Sequence, residues 1–204
     1  MSDPRARPLR EEDVDADPVR QFNIWLDEAR AAGVPLPEAM TLATADGSGR
    51  PSARMLLLKG ADERGFTFFS GYESRKGRDL EANPHAAIVV YWHPLGRQVR
   101  VEGPVRRLPA AESDEYFATR PPRSKAAAAA SRQSEVIDGR ESLDTEVERL
   151  LAEHGDLVPR PERWGGYVLE PETIELWQHR QDRLHDRFRY TRAREGWRLE
   201  RLSP

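Results

Sequence analysis

With 204 residues, 33% of them charged, and a formal net charge of −3, the chain suits one domain-size core that buries roughly 70% of the surface its unfolded form exposes. The lack of cysteine excludes disulfides, thiolate metal ligands and a cysteine nucleophile, and the mildly acidic balance offers no overall positive field for nucleic acid. The longest apolar stretch, Ala86 to Trp92, is far too short to cross a bilayer, and the polar start from Met1 to Asp17 has no apolar signal-peptide core, so no membrane partner and a cytoplasmic location are expected.

Residues 1–16 read as a flexible N-terminal arm, followed by one domain over 17–204. Asp17-Pro18 supplies an N-cap and a first-turn proline, and Phe22, Trp25, Leu26 and Ala29 recur at helical spacing until Gly33. Met40–Ala45, Ser52–Lys59 and Phe66–Ser70, separated by turns at Asp46–Gly49 and Asp62–Gly65, predict a meander of antiparallel strands. Ser74 caps a short helix through Leu80, stopped by Asn83-Pro84. Strands are predicted over Ala86–His93 and Arg97–Arg107, hinged at Pro94-Leu95-Gly96. Helices follow over Pro109–Thr119, Ser124–Ser131 and Leu143–Glu153, the first two divided by Pro121-Pro122. Gly166–Gln178, Leu184–Arg192 and Trp197–Leu202 complete the sheet, with a turn at Glu195-Gly196. The chain is therefore mainly β with inserted helices, in the manner of a decorated barrel.

Only three of the 32 basic residues are lysine, so arginine number carries no argument and arginine position does. Arg183, His185 and Arg187 alternate along the predicted strand and would share one face. Such a row is either an anion site or an edge whose charges block aggregation. Ser74-Arg75-Lys76-Gly77 places two cations at the N-terminal end of a helix, where unpaired N–H groups and the dipole favour a phosphate and disfavour cations alone. Arg54 and Lys59 flank the apolar run Met55-Leu56-Leu57-Leu58. Their spacing of five puts them on opposite faces of a regular strand, so one ligand reaches both only through a twist, a bulge or wrapping around the strand end. Tyr116 and Arg120 lie four apart on one helix face, with Ser124 just beyond the proline break, a set suited to a second phosphate. Gln98 and Gln133-Ser134 offer amide and hydroxyl groups for the edge of a heterocycle. His85, His93, His154, His179 and His185 show no metal-ligand spacing, and no metal is expected.

In order and spacing, Arg54 to Lys59, Ser74-Arg75-Lys76, Arg97-Gln98-Val99, Ser131-Arg132-Gln133-Ser134, and Trp177-Gln178 followed by Arg183-Leu184-His185-Asp186-Arg187 closely resemble the pyridoxamine 5'-phosphate oxidase family. The resemblance implies an FMN-binding split β-barrel working as a homodimer, with FMN in the subunit interface. It implies flavin contacts from Arg54, Met55, Leu56, Leu57, Leu58, Lys59, Phe69, Ser70, Arg75, Lys76, Gln98, Gln133, Ser134, Trp177 and Arg187. For a small phosphorylated pyridine it implies Lys59, Tyr116, Arg120 and Ser124 around the phosphate, and Arg183 and His185 as catalytic and substrate-binding residues near the ring. The implied reaction is oxidation of pyridoxine or pyridoxamine 5'-phosphate to pyridoxal 5'-phosphate, with O2 as final acceptor and hydrogen peroxide released. Where the family has a glycine-containing segment, this chain carries His179-Arg180-Gln181-Asp182, which predicts a bulkier loop. Two rival expectations are a relative that oxidises an unphosphorylated aromatic such as a dihydrophenazine, and a split-barrel protein that holds flavin or pyridoxal phosphate without turnover.

Overall fold

One long strand organises the molecule. Residues 8–204 are described by the computed structural model, and at their centre β6 (Arg97–Arg107) pairs along one edge with β5 (His85–Trp92). Its other edge forks: Arg97 to Glu102 pair with β8 (Thr173–Gln178), and Val105 to Arg107 pair with β7 (Trp164–Leu169). From β8 the sheet continues through β9 (Asp186–Arg192) to β10 (Trp197–Arg201), and from β5 through β1 (Ala39–Ala45) to the edge strand β2 (Pro51–Leu57). On the β7 side, β4 (Gly65–Gly71) pairs with β7 and with the short β3 (Gly60–Asp62). Every pairing is antiparallel. The helix α1 (Pro18–Ala31) precedes β1, while α2 (Arg75–Ala82) is inserted between β4 and β5, and α3 (Ala110–Ala118), α4 (Pro122–Ala130) and α5 (Glu141–His154) between β6 and β7.

The predicted strand over Gly166–Gln178 is two strands. Pro171 cannot continue a central ladder, and the chain turns at 170–172, where the Glu170 and Glu172 N–H groups bond to the carbonyls of Pro104 and Glu102. Gly103 makes this crossing feasible, because a Cβ there would overlap the Glu170 carbonyl oxygen. Gly103→Ala is expected to cost about 3 kcal/mol, a fall of roughly 10 °C in Tm. Thermal unfolding of the apoprotein checks this, and an unchanged Tm would remove the glycine from the account.

The predicted strand from Leu184 begins two residues later, at Asp186. Arg183 adopts a left-handed conformation, φ 66°, at the close of a turn whose N–H returns to the Arg180 carbonyl. Arg183 and His185 therefore precede the strand that carries Arg187, and the shared strand face predicted for the three does not form.

Asp17 caps α1 by accepting from the Val19 and Arg20 N–H groups, and Pro18 opens it. Its apolar stripe of Phe22, Trp25, Leu26 and Ala29 lies on the main core with Phe66, Phe68, Ile88 and Trp92, and Phe22 meets Phe66 edge-on at 5.0 Å. Each such buried side chain contributes about 2 kcal/mol. Of the predicted arm, residues 1–7 lie outside the described residues. Leu9 is buried, its N–H donates to the Asp186 carboxylate at 3.0 Å, and the Tyr190 hydroxyl donates to the Asp15 carbonyl at 2.7 Å. Ala126 of α4 packs with Val147 and Leu150 of α5 in a small second cluster. No described helix is long and apolar enough to cross a membrane.

Candidate active site

A cradle of cations forms where α2 begins. Ser74 caps the helix by accepting from the Gly77 N–H, and Gly77 is required because a Cβ would collide with the Tyr72 carbonyl. Lys76 is 4% exposed, and its ammonium donates to Ser74 Oγ at 3.0 Å and Gln133 Oε1 at 2.9 Å. Burial, with Arg54 adding repulsion, pushes its pKa down to about 8. The Arg75 N–H donates to Ser134 Oγ at 3.2 Å. Opposite them on β2, Arg54 donates to Thr44 Oγ1 at 2.7 Å and to Ser52 Oγ. Together Arg54, Met55, Leu56, Arg75, Lys76, Gln133 and Ser134 line a cavity of about 370 Å³. A helix N-terminus, two guanidiniums and an ammonium around one hollow suit a dianionic phosphate.

A second cavity of about 550 Å³ adjoins it, with Leu56 and Gln133 lining both. Its walls bring together Lys59, Tyr116, Arg120 and Ser124 as one group, joined by Leu57, Phe69 and Ser70. The question raised by the spacing of Arg54 and Lys59 is resolved by a change of partner strand. β2 stops at Leu57; the Leu58 N–H bonds to the Glu38 carbonyl and the Lys59 N–H to the Thr67 carbonyl, so the chain leaves β1 for β4. Arg54 thus serves the first cavity and Lys59 the second. Leu58 lines neither and is buried in the core.

Aromatic rings form one wall of this second cavity. Phe69 stacks on Tyr116 at 3.9 Å and on Trp164 at 5.6 Å, and the Arg120 guanidinium lies 4.7 Å from the Trp164 ring. Arg120 Nη1 is buried without a hydrogen-bond partner, and desolvation lowers the guanidinium pKa. A buried donor of a half-buried cation left so is costly, and an anion in the cavity removes the cost.

Gln98, Trp177, Arg183, His185 and Arg187 line neither cavity. Gln98, Trp177 and Arg187 stand abreast on β6, β8 and β9. His185 packs against Trp177 at 4.6 Å and against His179 at 5.3 Å. Its Nδ1 accepts the Arg180 N–H at 3.0 Å, so the neutral ring carries its proton on Nε2. Its pKa is lowered, first by desolvation and then by His179 and Arg183. Arg187 donates to Glu175 at 2.8 Å, which raises its own pKa.

Sequence reasoning missed Trp164, Arg163 and Arg132, all of which line the larger cavity. Trp164 opens β7 beside Gly165, which lets Tyr72 and Ser113 approach, and Gly166, which lets Phe69 and Leu108 approach, and this aromatic-glycine juxtaposition was the available signal. It also missed Asp79, a carboxylate on α2 that accepts from Thr44 and Ser52 behind Arg54. Among the described residues no group of three or more His, Cys, Asp or Glu could hold a metal ion.

Fold and site define a split-barrel protein with two adjoining cavities lined by cationic side chains. Residues 26–153 match the family described as pyridoxamine 5'-phosphate oxidase, and residues 164–204 match the pyridoxine 5'-phosphate oxidase C-terminal dimerisation region. The pyridoxine/pyridoxamine 5'-phosphate oxidase of Paraburkholderia phytofirmans is 54% identical over 194 residues, 94% of this chain and 91% of that protein. The protein of the same name from Salinibacter ruber is 54% identical over 200 residues, 96% of this chain and 93% of that one. Among solved structures, PhzG from Burkholderia lata in complex with tetrahydrophenazine-1-carboxylic acid superposes with a TM-score of 0.93 at 36% identity, covering 98% of this chain and 100% of that one. A pyridoxamine 5'-phosphate oxidase-related, FMN-binding protein from Nostoc punctiforme shares the fold, with a TM-score of 0.74 at 16% identity over 92% of this chain and 98% of that one. The chain belongs to the pyridoxamine 5'-phosphate oxidase family.

Proposed function

We propose that this protein is a cytoplasmic, FMN-dependent oxidase of pyridoxine 5'-phosphate or pyridoxamine 5'-phosphate, with residues 17–204 as its oxidase domain. The observation that carries the reading is the buried, unpartnered Nη1 of Arg120 in a cavity that also holds Lys59, Tyr116 and Ser124. An unphosphorylated aromatic would leave this set without a phosphate dianion to hold, and a ring carboxylate offers it only a single charge and two oxygens.

The residues of the smaller cavity fit the terminal phosphate of FMN: Arg54, Arg75 and Lys76 supply charge, and Ser134 and Gln133 supply polar edges. When bound, the flavin supplies the acceptor for two electrons. Phe69 and Trp164 offer an apolar, aromatic wall to the adjoining cavity. Lys59, Tyr116, Arg120 and Ser124 hold the substrate phosphate, and this fixes the position of the ring.

Gln98, Trp177, Arg183, His185 and Arg187 meet the ligands from a second copy of the chain. The match of residues 164–204 to a dimerisation region supports a homodimer. So do the outward-facing Met55 and Leu57 on the edge strand β2, 62% and 41% exposed in the single chain. Within the dimer Arg183 steadies a substrate oxygen, and His185 donates from Nε2.

The test is anaerobic. Pyridoxine 5'-phosphate should bleach the flavin of the FMN-loaded protein, and admitting air should yield pyridoxal 5'-phosphate and peroxide in equal amounts. Unphosphorylated pyridoxine should be at least ~100-fold poorer in kcat/KM, the worth of about 3 kcal/mol of phosphate binding. Bleaching by a dihydrophenazine carboxylate and not by either vitamin phosphate would move the assignment to the phenazine branch. Binding of flavin without bleaching by any of them would make the protein a carrier.

A further inference from the structure

Arg54 does not stand in its cavity unsupported. Its Nη1 donates to Thr44 Oγ1 at 2.7 Å and its Nη2 to Ser52 Oγ, and both hydroxyls in turn donate to one oxygen of Asp79, at 2.6 Å and 3.0 Å. The same oxygen lies 3.6 Å from Arg54 Nη2. Asp79 is 6% exposed and sits one helical turn beyond Lys76 on α2, so a single carboxylate ties the helix that opens the cradle to the strand that closes it. Thr44 and Ser52 face each other across the β1–β2 ladder, which fixes the two hydroxyls as a pair. Each hydroxyl has one proton to give. With that proton committed to Asp79, its lone pairs must face the guanidinium, and the direction of the whole relay is set by the charge at its end.

We propose that Asp79 is the positioning residue of the phosphate cradle: through Thr44 and Ser52 it holds the Arg54 guanidinium in the orientation that receives the cofactor's phosphate. The proposal rests on the reading of that cavity as the FMN phosphate site. An arginine held by a charged relay gives up little side-chain freedom when its anion arrives, whereas a released arginine must be ordered at that moment. Burial pulls the Arg54 pKa down and Asp79 pulls it back up, in keeping with a counter-charge placed on the side away from the cavity.

Affinities for FMN and for riboflavin, which lacks the phosphate, separate the parts of this argument. The wild-type protein should prefer FMN; equal affinities would remove the phosphate-site reading and the proposal with it. Asp79→Ala should leave riboflavin affinity unchanged, which also shows that the variant is folded, and should reduce the FMN-to-riboflavin preference about 10-fold, the loss of about one charge-assisted hydrogen bond. Asp79→Asn keeps an acceptor for both hydroxyls and should lose no more than about 3-fold. The decisive measurement is the cycle with Arg54→Gln. If Asp79 acts through Arg54, Asp79→Ala changes the preference by less than about 2-fold in that background. A preference that is unchanged or increased by Asp79→Ala, or a loss of equal size in both backgrounds, overturns the proposal.

Discussion

Arg120→Met is expected to raise the KM for pyridoxine 5'-phosphate about 100-fold while leaving the apoprotein at least as stable as its parent. The two halves come from one observation. Arg120 Nη1 is buried with no partner, so the apoprotein carries an uncompensated cation that methionine removes while keeping most of the packing on Trp164 and Phe117. The substrate's phosphate would lose a charge-assisted hydrogen bond from a buried donor, worth about 3 kcal/mol, and each 1.4 kcal/mol is about tenfold in affinity. Most truncations of half-buried arginines lower Tm, so a rise in KM at unchanged or higher Tm would mark Arg120 as a residue kept for its ligand. Steady-state kinetics and thermal unfolding of the apoprotein read both halves. An unchanged KM, or a Tm that falls along with affinity, would count against the phosphate role.

Affinity for FMN is expected to be flat from about pH 7, where its phosphate is already mostly a dianion, to pH 8 and to weaken above it, approaching tenfold per pH unit. Lys76 is the cause: burial and the neighbouring Arg54 bring its pKa down to about 8. A bound phosphate dianion favours the charged form and raises that pKa again, so binding above pH 8 must take up a proton. The apoprotein responds in the opposite direction. Its folded pKa lies below the ordinary 10.5 of the unfolded chain, so between pH 8 and 10.5 the unfolded chain binds more protons and this group's contribution to stability rises with pH. Lys76→Met should abolish the pH dependence and weaken FMN binding at pH 7 by about 100-fold. Fluorescence titrations of FMN from pH 6.5 to 9.5 decide the matter. A wild-type curve with no break near pH 8, or a methionine variant that keeps the break, would assign the titration elsewhere.

Much of this site was legible in the sequence because its residues are local neighbours. Tyr116 in the last turn of α3, Arg120 two residues past that helix and Ser124 in the first turn of α4 come together along one short run of chain, although Arg120 lies outside the helix on which its spacing placed it, and Ser74-Arg75-Lys76 come together through a cap and a first turn. Those contacts need no tertiary information. Asp79 and Trp164 escaped notice for the opposite reason. A lone aspartate on a short helix acquires meaning only when β1 and β2 present two hydroxyls to it, and Trp164 only when β7 pairs with β4 and brings it beside Phe69.

The misread strands have physical causes of the same kind. Alternation in Arg183, His185 and Arg187 imitates a strand, but the hydrogen bonds of residues 180–185 are spent inside a turn and on the His185 ring, so the ladder begins only at Asp186. The break at Pro171 was visible as a residue but not as a corner, because the corner depends on Gly103, far away in sequence, leaving room for it. Arg187, expected among repelling cations, shares a sheet face with Glu175, a pairing that only the β8–β9 register reveals.

The scarcity of lysine acquires chemical significance once the three residues are located. Lys76 and Lys125 are buried, and Lys59, the one exposed lysine, stands in the wall of the larger cavity. A reagent that acylates primary amines therefore meets few targets on this protein apart from the chain's own amino terminus, and its single accessible side-chain target reports directly on whether that cavity is filled. An aldehyde formed in that cavity would face this one amine, and beyond it would find almost no side-chain amine on the surface with which to condense.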